Sequence, residues 1–178
     1  MSAPARVVRA ARRAHDARMN RARLGVLGAA IAALICSAVV QAQDQREPLE
    51  GTWLLDVGKS RFMPMPGPKG QMRTYVLTDG LEKMTSRGIS GEGKSTFVHY
   101  QARYDGKDYD IIGSTGGGKI SLKRLDRFTT QSTQKRDGKP VIVATRRVSS
   151  DEKTLTVETH GTLPDGTALN ATMVFQRK

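Results

Sequence analysis

Cysteine is nearly missing from this chain. The one thiol, Cys36, sits in an apolar run near the N-terminus, so everything after it lacks both a disulfide and a thiolate for catalysis or metal binding. Histidine is almost as scarce. Beyond residue 42 only His99 and His160 occur, without cysteine partners or a neighbour at ligand-like spacing, which is a poor zinc set and no catalytic triad. A nucleophile elbow is missing as well: Gly88-Ile89-Ser90-Gly91-Glu92 fails at its last position. No segment after residue 42 shows an apolar stripe at helical spacing, so helices are not expected to build the core. A fold without crosslinks must be held by its apolar interior, and a domain of this size buries roughly two-thirds of its unfolded surface.

What is present divides in two. The formal net charge is +12. Residues 1–42 contribute seven arginines and one acid, Asp16, leaving 22 basic and 16 acidic side chains for the remainder. A modest excess spread over a small domain favours solubility and does not call for nucleic acid. Leu24–Val40 is apolar and uncharged, is preceded by Arg21 and Arg23, and exits through Val40-Gln41-Ala42. Basic flank, apolar stretch and small-residue exit are the three parts of a secretory signal, so cleavage is expected after Ala42 and the product in the periplasm or outside the cell. Contact with the membrane is then transient and made through this segment. An uncleaved anchor is the alternative, since seventeen apolar residues are at the short end of a membrane span. Met19 would also start a compact leader, which makes residues 1–18 a candidate start-site extension.

Residues 43–178 read as one domain of hairpins. Turn signals such as Asp79-Gly80, Asp105-Gly106, Asp137-Gly138 and Pro164-Asp165-Gly166 recur every 9 to 14 residues, and Gly with Asp supplies the positive φ angles that tight hairpins need. Between them lie β-branched or alternating stretches such as 96–100, 120–122, 141–143 and 154–157. Strands are predicted at 51–55, 71–78, 81–90, 95–104, 108–112, 119–124, 127–136, 139–149, 153–162 and 167–177. Links this short imply an all-β, up-and-down antiparallel meander of 8–10 strands, and closing it into a barrel removes the exposed edges. The Pro- and Gly-rich stretch Met63–Gly70 is expected to loop over one mouth.

Several motifs invite chemistry and are better read as structure. Gly113–Lys119 (GSTGGGK) matches the start of a phosphate-binding loop, but isoleucine follows where Ser or Thr must hold magnesium, and Ile120-Ser121-Leu122 alternates like a strand. Asp105, Asp108 and Asp110 are too few for calcium and Lys107 intrudes among them. Tyr75, Tyr100, Tyr104 and Tyr109 with Arg73, Arg87 and Arg103 resemble a stacking platform, yet tyrosine is simply a good strand residue with a polar tip. Asn170-Ala171-Thr172 is a glycosylation triplet in mid-strand and is read as incidental. No catalytic residue, metal ligand or cofactor is assigned.

Gly51-Thr52-Trp53 opens the first strand soon after the leader, and Arg177 ends the last. Arg136-Asp137-Gly138-Lys139, Arg146-Arg147-Val148, Asp151–Leu155 and Thr159-His160-Gly161 follow in order. In this pattern residues 51–178 resemble the calycin group of lipocalins and fatty-acid-binding proteins, and small exported bacterial lipocalin-like proteins. The resemblance implies that Gly51, Trp53 and Arg177 form the motif at the closed end of the barrel, and it aligns Met173 and Phe175 with the last-strand clamp and Arg147 with an interior arginine. It also departs from fatty-acid-binding proteins, because the prolines between 55 and 70 forbid their pair of capping helices. The function expected is that of an exported monomeric barrel, not an enzyme, that binds a small, hydrophobic or amphipathic molecule through Arg147, Met173, Phe175, Tyr75 and Tyr100. Burial of ligand hydrocarbon would drive it at about 0.8 kcal/mol per methylene. The alternative is a cell-envelope interaction protein with a filled barrel and a basic surface.

Overall fold

The computed structural model describes residues 46–64, 66–113, 118–163 and 165–178. The expected leader and anchor, Cys36 and the centre of the GSTGGGK loop lie outside them. Residues Glu47–Lys178 form one compact unit.

Among the described residues eleven strands follow one another: β1 (Gly51–Leu55), β2 (Arg61–Met63), β3 (Gly70–Thr78), β4 (Leu81–Ile89), β5 (Ser95–Arg103), β6 (Tyr109–Gly113), β7 (Lys119–Arg124), β8 (Thr129–Arg136), β9 (Lys139–Val148), β10 (Thr154–Thr162) and β11 (Ala168–Arg177). From β3 to β11 each pairs antiparallel with the next, β1 pairs with β3, and β1 also pairs with β11, Trp53 opposite Arg177 and Leu55 opposite Phe175. The result is the closed, up-and-down barrel that the turn spacing and the calycin resemblance predict, with ten staves. Among the described residues the only helical piece is a 3-10 turn, Val57–Lys59.

Ten staves accommodate eleven strands because the first stave is broken. The sequence pattern places a single strand there. Instead the chain kinks after β1 and resumes as β2, which pairs with β11 nearer the other end, Phe62 opposite Ala171. The kink is pinned to β11. The Asp56 N–H donates to the Val174 carbonyl at 2.8 Å, the buried Ser60 hydroxyl donates to the Asp56 carbonyl at 2.7 Å, and the same hydroxyl accepts the Val174 N–H at 3.0 Å. The Pro-rich loop then packs on the β4–β5 hairpin. A Cβ on Gly91 would stand 2.6 Å from the Pro66 carbonyl oxygen, so only glycine lets the two backbones approach.

Hairpin chemistry follows the sequence closely. Asp79-Gly80 and Asp137-Gly138 have positive φ at both residues, the two-residue turn whose twist matches that of the strands. At four other turns a carboxylate accepts the N–H two residues on: Asp105 from Lys107, Asp126 from Phe128, Asp151 from Lys153 and Asp165 from Thr167. These backbone amides hold Asp105, Asp126 and Asp165 below the usual carboxylate range, and the Ser149 hydroxyl with the Lys153 amide does the same for Asp151.

The alternation of side chains in and out is clearest on β4 and β10. On β10, Leu155, Val157 and Thr159 are buried while Glu158 and His160 are exposed. On β4, Glu82, Met84 and Ser86 face in and Lys83 and Arg87 face out.

Candidate functional site

The interior is filled at one end and hollow at the other. At the filled end the chain before β1 acts as a plug. Trp53 is fully buried, its indole N–H donates to the Leu49 carbonyl at 2.9 Å, and the Arg177 guanidinium lies 4.2 Å from the indole ring. Arg177 also donates to the carbonyls of Glu50, Pro48 and Glu152, each at 2.5 Å. One side chain therefore ties the entering chain, the β9–β10 turn and the last strand together. Leu122, Val148, Leu155 and Phe175 close the space around the tryptophan. Outside this cluster Arg124 pairs with Glu47 at 2.8 Å and stacks on Tyr104 at 4.6 Å.

Towards the other end lies a cavity of about 620 Å³. Tyr75, Tyr100 and Arg146 form its floor at mid-barrel, and Arg136, Thr162 and Leu163 lie at its rim near the strand ends. Its walls carry Met84, Val98, Ile120, Ile142, Leu169 and Met173, interleaved with Ser86, Ser132, Gln134 and Thr159. That is the usual make-up of a small-molecule site, an apolar lining with a few placed polar groups.

Beneath the floor is a buried ionic cluster joining opposite walls. Arg146 Nη1 on β9 donates to Glu82 Oε1 on β4 at 2.5 Å and to the Tyr100 hydroxyl on β5 at 3.0 Å. The Tyr100 hydroxyl donates to Glu82 Oε1 at 2.6 Å, and Tyr104 donates to Oε2. Neither member of the Arg146–Glu82 pair reaches solvent, at 3% and 0% exposure. Burial opposes the charge on Arg146, but Glu82 and the surrounding tyrosines outweigh it and hold the guanidinium well above its ordinary value. Burial, assisted by Glu82, pushes the Tyr100 and Tyr104 phenols well up, so both remain hydroxyl donors. The cluster is incompletely satisfied. Among the described residues four buried side-chain atoms have no hydrogen-bond partner, namely Arg146 Nε and Nη2, Thr130 Oγ1 and Thr159 Oγ1. All four belong to the neighbouring strands β8, β9 and β10, and Thr130 stands directly opposite Arg146.

Of the five ligand residues expected from the sequence, the structure brings three to the cavity: Tyr75, Tyr100 and Met173. Phe175 lies deeper, fully buried in the filled half against the Arg73 guanidinium at 4.8 Å. Arg147 is misplaced by the family resemblance. It is exposed on the outer face, opposite Thr156, and the inward guanidinium is that of Arg146. With a two-residue period, one step reverses the face. The parity of Ala144 and Val148 was the available signal, since both face in with Arg146. Trp53 and Arg177 meet at the filled end, and Gly51 stands opposite Tyr75 in the β1–β3 ladder.

The groups that suggested other chemistry are occupied elsewhere. His99 bonds Thr85 Oγ1 at 3.2 Å, and His160, exposed on the outside, bonds Asn170 Oδ1 at 2.8 Å. Asp108 pairs with Lys135 and Asp110 with Lys119, each at 2.7 Å. Among the described residues no three His, Cys, Asp or Glu side chains gather as metal ligands. Glu82 and Arg146 went unseen because the partners are 64 residues apart and the β4 sequence LEKMTSRGI carries no clear two-fold phase.

No family model and no curated protein matches the chain. Solved structures are similar in fold. Zebrafish ileal bile acid-binding protein complexed with cholic acid has a TM-score of 0.47 at 11% identity, covering 74% of this chain and 99% of that one. A protein from M. tuberculosis has a TM-score of 0.47 at 11% identity, covering 74% and 93%. Apocrustacyanin C1 has a TM-score of 0.36 at 11% identity, covering 78% and 66%. Identity this low says nothing of ligand.

Proposed function

We infer that this chain is a carrier: an exported, monomeric barrel that holds one small, mainly apolar molecule in its hollow half. The observation that supports this reading is the cavity of about 620 Å³, walled by aliphatic and methionine side chains, in a bore otherwise packed shut. Pockets for small ligands span roughly 300–1,000 Å³, and transfer of hydrocarbon into such a space is favourable by about 25 cal/mol per Å² buried. A filled barrel acting only through a basic surface does not account for that space. Binding without catalysis also fits the surroundings, because the described histidines are engaged in side-chain hydrogen bonds and Glu82 is saturated by its partners.

Uptake of a fluorescent apolar probe, with native mass spectrometry of protein purified from its own host, tests the reading. Stoichiometric, displaceable binding of one molecule is expected. A cavity that accepts no probe and no co-purifying molecule would defeat it. Fractionation of the host, with N-terminal sequencing of the recovered chain, tests export, and a start at residue 43 is the expected result.

A further inference from the structure

A second hollow, of about 670 Å³, lies beside the break in the first stave and shares no lining residue with the barrel cavity. It is bounded by the kink and β2, by the Pro-rich loop, and by parts of β10 and β11. Val57, Phe62, Met63, Pro66 and Pro68 supply its apolar surface. Met63 is 67% exposed, a large apolar side chain left in water with open space beside it.

The walls of this groove are fixed by the fold. A Cβ on Gly67 would run into the Phe62 ring, so only glycine lets the loop lie against that ring. The Lys69 N–H donates to the Ile89 carbonyl at 2.9 Å and anchors the far end of the loop, while the prolines stiffen what lies between. Across the groove, His160 Nδ1 bonds Asn170 Oδ1 at 2.8 Å, which holds the imidazole in place. Met63, Asn170 and His160 stand in one row across β2, β11 and β10.

The charges that line the groove have one sign. Arg61 and Lys69 are exposed there, and among the described residues neither is paired with a carboxylate. Arg61 Nη1 donates to the adjacent Ser60 carbonyl at 3.1 Å. Asp56 at the kink is taken by Lys59 at 3.3 Å, and Glu158, beyond Thr172 in the row that starts at Arg61, does not line the groove.

We propose that this groove is a second ligand site, separate from the barrel cavity, for a compact aromatic acid. The ring system lies against Phe62, Met63 and the two prolines, and its carboxylate is met by Arg61 and Lys69. A rigid ring suits an open, rigid groove because it has few rotors to immobilise, whereas a long alkyl chain loses rotamer freedom and keeps one side wet. Phenylalanine and proline offer flat faces, and a methionine sulfur favours contact with an aromatic ring. The cations select an anion over a neutral compound by a modest factor, since water and salt screen exposed charges.

The test is titration of the full chain with naphthoate and with naphthol, at neutral pH and low salt, followed by NMR of the methionine methyls and histidine rings. The two compounds share a ring system and differ in charge. Naphthoate should shift the Met63 methyl and the His160 ring and leave the methyls of Met84 and Met173, which line the barrel cavity, where they are. It should bind about three- to tenfold more tightly than naphthol, with a ratio that shrinks as salt is added. Arg61→Gln with Lys69→Gln should bring the two compounds to equal affinity without loss of stability, since both side chains are exposed. Shifts at Met84 and Met173 in place of Met63 would put the ring inside the barrel, overturning the second site while the carrier reading stands. Equal affinity for the two compounds in the unaltered chain, or a preference that survives the double substitution, would overturn the acid. If neither compound moves the Met63 or His160 signals, the groove is not a site for aromatic compounds.

Discussion

The two halves of this barrel are built from the same strands and treat polar groups in opposite ways. In the filled half the inward polar groups of the closing motif are matched. The Trp53 N–H has the Leu49 carbonyl, and Arg177 has three backbone carbonyls. In the hollow half Arg146 and Thr159 bury donors or acceptors that nothing within the protein meets. An unmatched buried group costs about 1–3 kcal/mol, so these atoms weaken the barrel below the hollow. The packed cluster around Trp53 must offset that. Close packing and open space are thus segregated along the barrel axis.

Truncation at the two ends tests this division most severely. Trp53→Ala should lower stability by about 3–5 kcal/mol in urea unfolding, while Ile142→Ala in the cavity wall should cost less than half as much, because the space beside it is already open. Equal losses would erase the distinction. The junction between the halves comes next. Glu82→Gln leaves Arg146 buried without its counter-ion and should cost about 3 kcal/mol, and adding Arg146→Met should recover most of it. If the double variant is no better than the single, the two side chains are not energetically coupled.

Two alanines sharpen the comparison further. Ala102 is fully buried in the filled half, whereas Ala144 lines the cavity. Ala102→Leu should overpack its site and cost about 1–3 kcal/mol. Ala144→Leu should raise stability by about 0.5–2 kcal/mol by filling space, and it should block probe uptake. A destabilised Ala144→Leu would mean that the hollow is not available to a side chain, and so not to a ligand.

The smallest effect is read by pH. Tyr100 and Tyr104 have phenols raised above the ordinary 10.0 in the folded protein. Their contribution to stability is complete below about pH 10 and declines above it, since the unfolded chain ionises there and the folded chain does not. Tyrosinate absorbance from these two should therefore appear together with unfolding and not before. Early ionisation of all four tyrosines would contradict a closed cluster at mid-barrel.

Much of the barrel was legible because turns and alternation are local. Asp79-Gly80 and Asp137-Gly138 announce hairpins wherever they occur, and strands read from alternation match β3, β4, β5, β7 and β10 to within a residue or two at their ends. The break of the first stave was not legible. It depends on Ser60 finding Val174 across 114 residues of chain. The cavity residues were legible only in part. Tyr75, Tyr100 and Met173 reach the lining, Phe175 falls below it, and Arg147 gives way to its neighbour, because a tandem Arg146-Arg147 contains both faces of the strand at once.

The amino-acid order alone determined that this chain turns back on itself every dozen residues and makes strands with one wet face and one dry face, because φ preference and two-residue alternation act between neighbours. Only the closed structure decided which residues share the interior at a given height, and hence that Glu82, Tyr100 and Arg146 form one cluster and that one half of the bore remains open. Those outcomes depend on strand register and on the distance across the barrel, quantities that exist only after β1 has met β11.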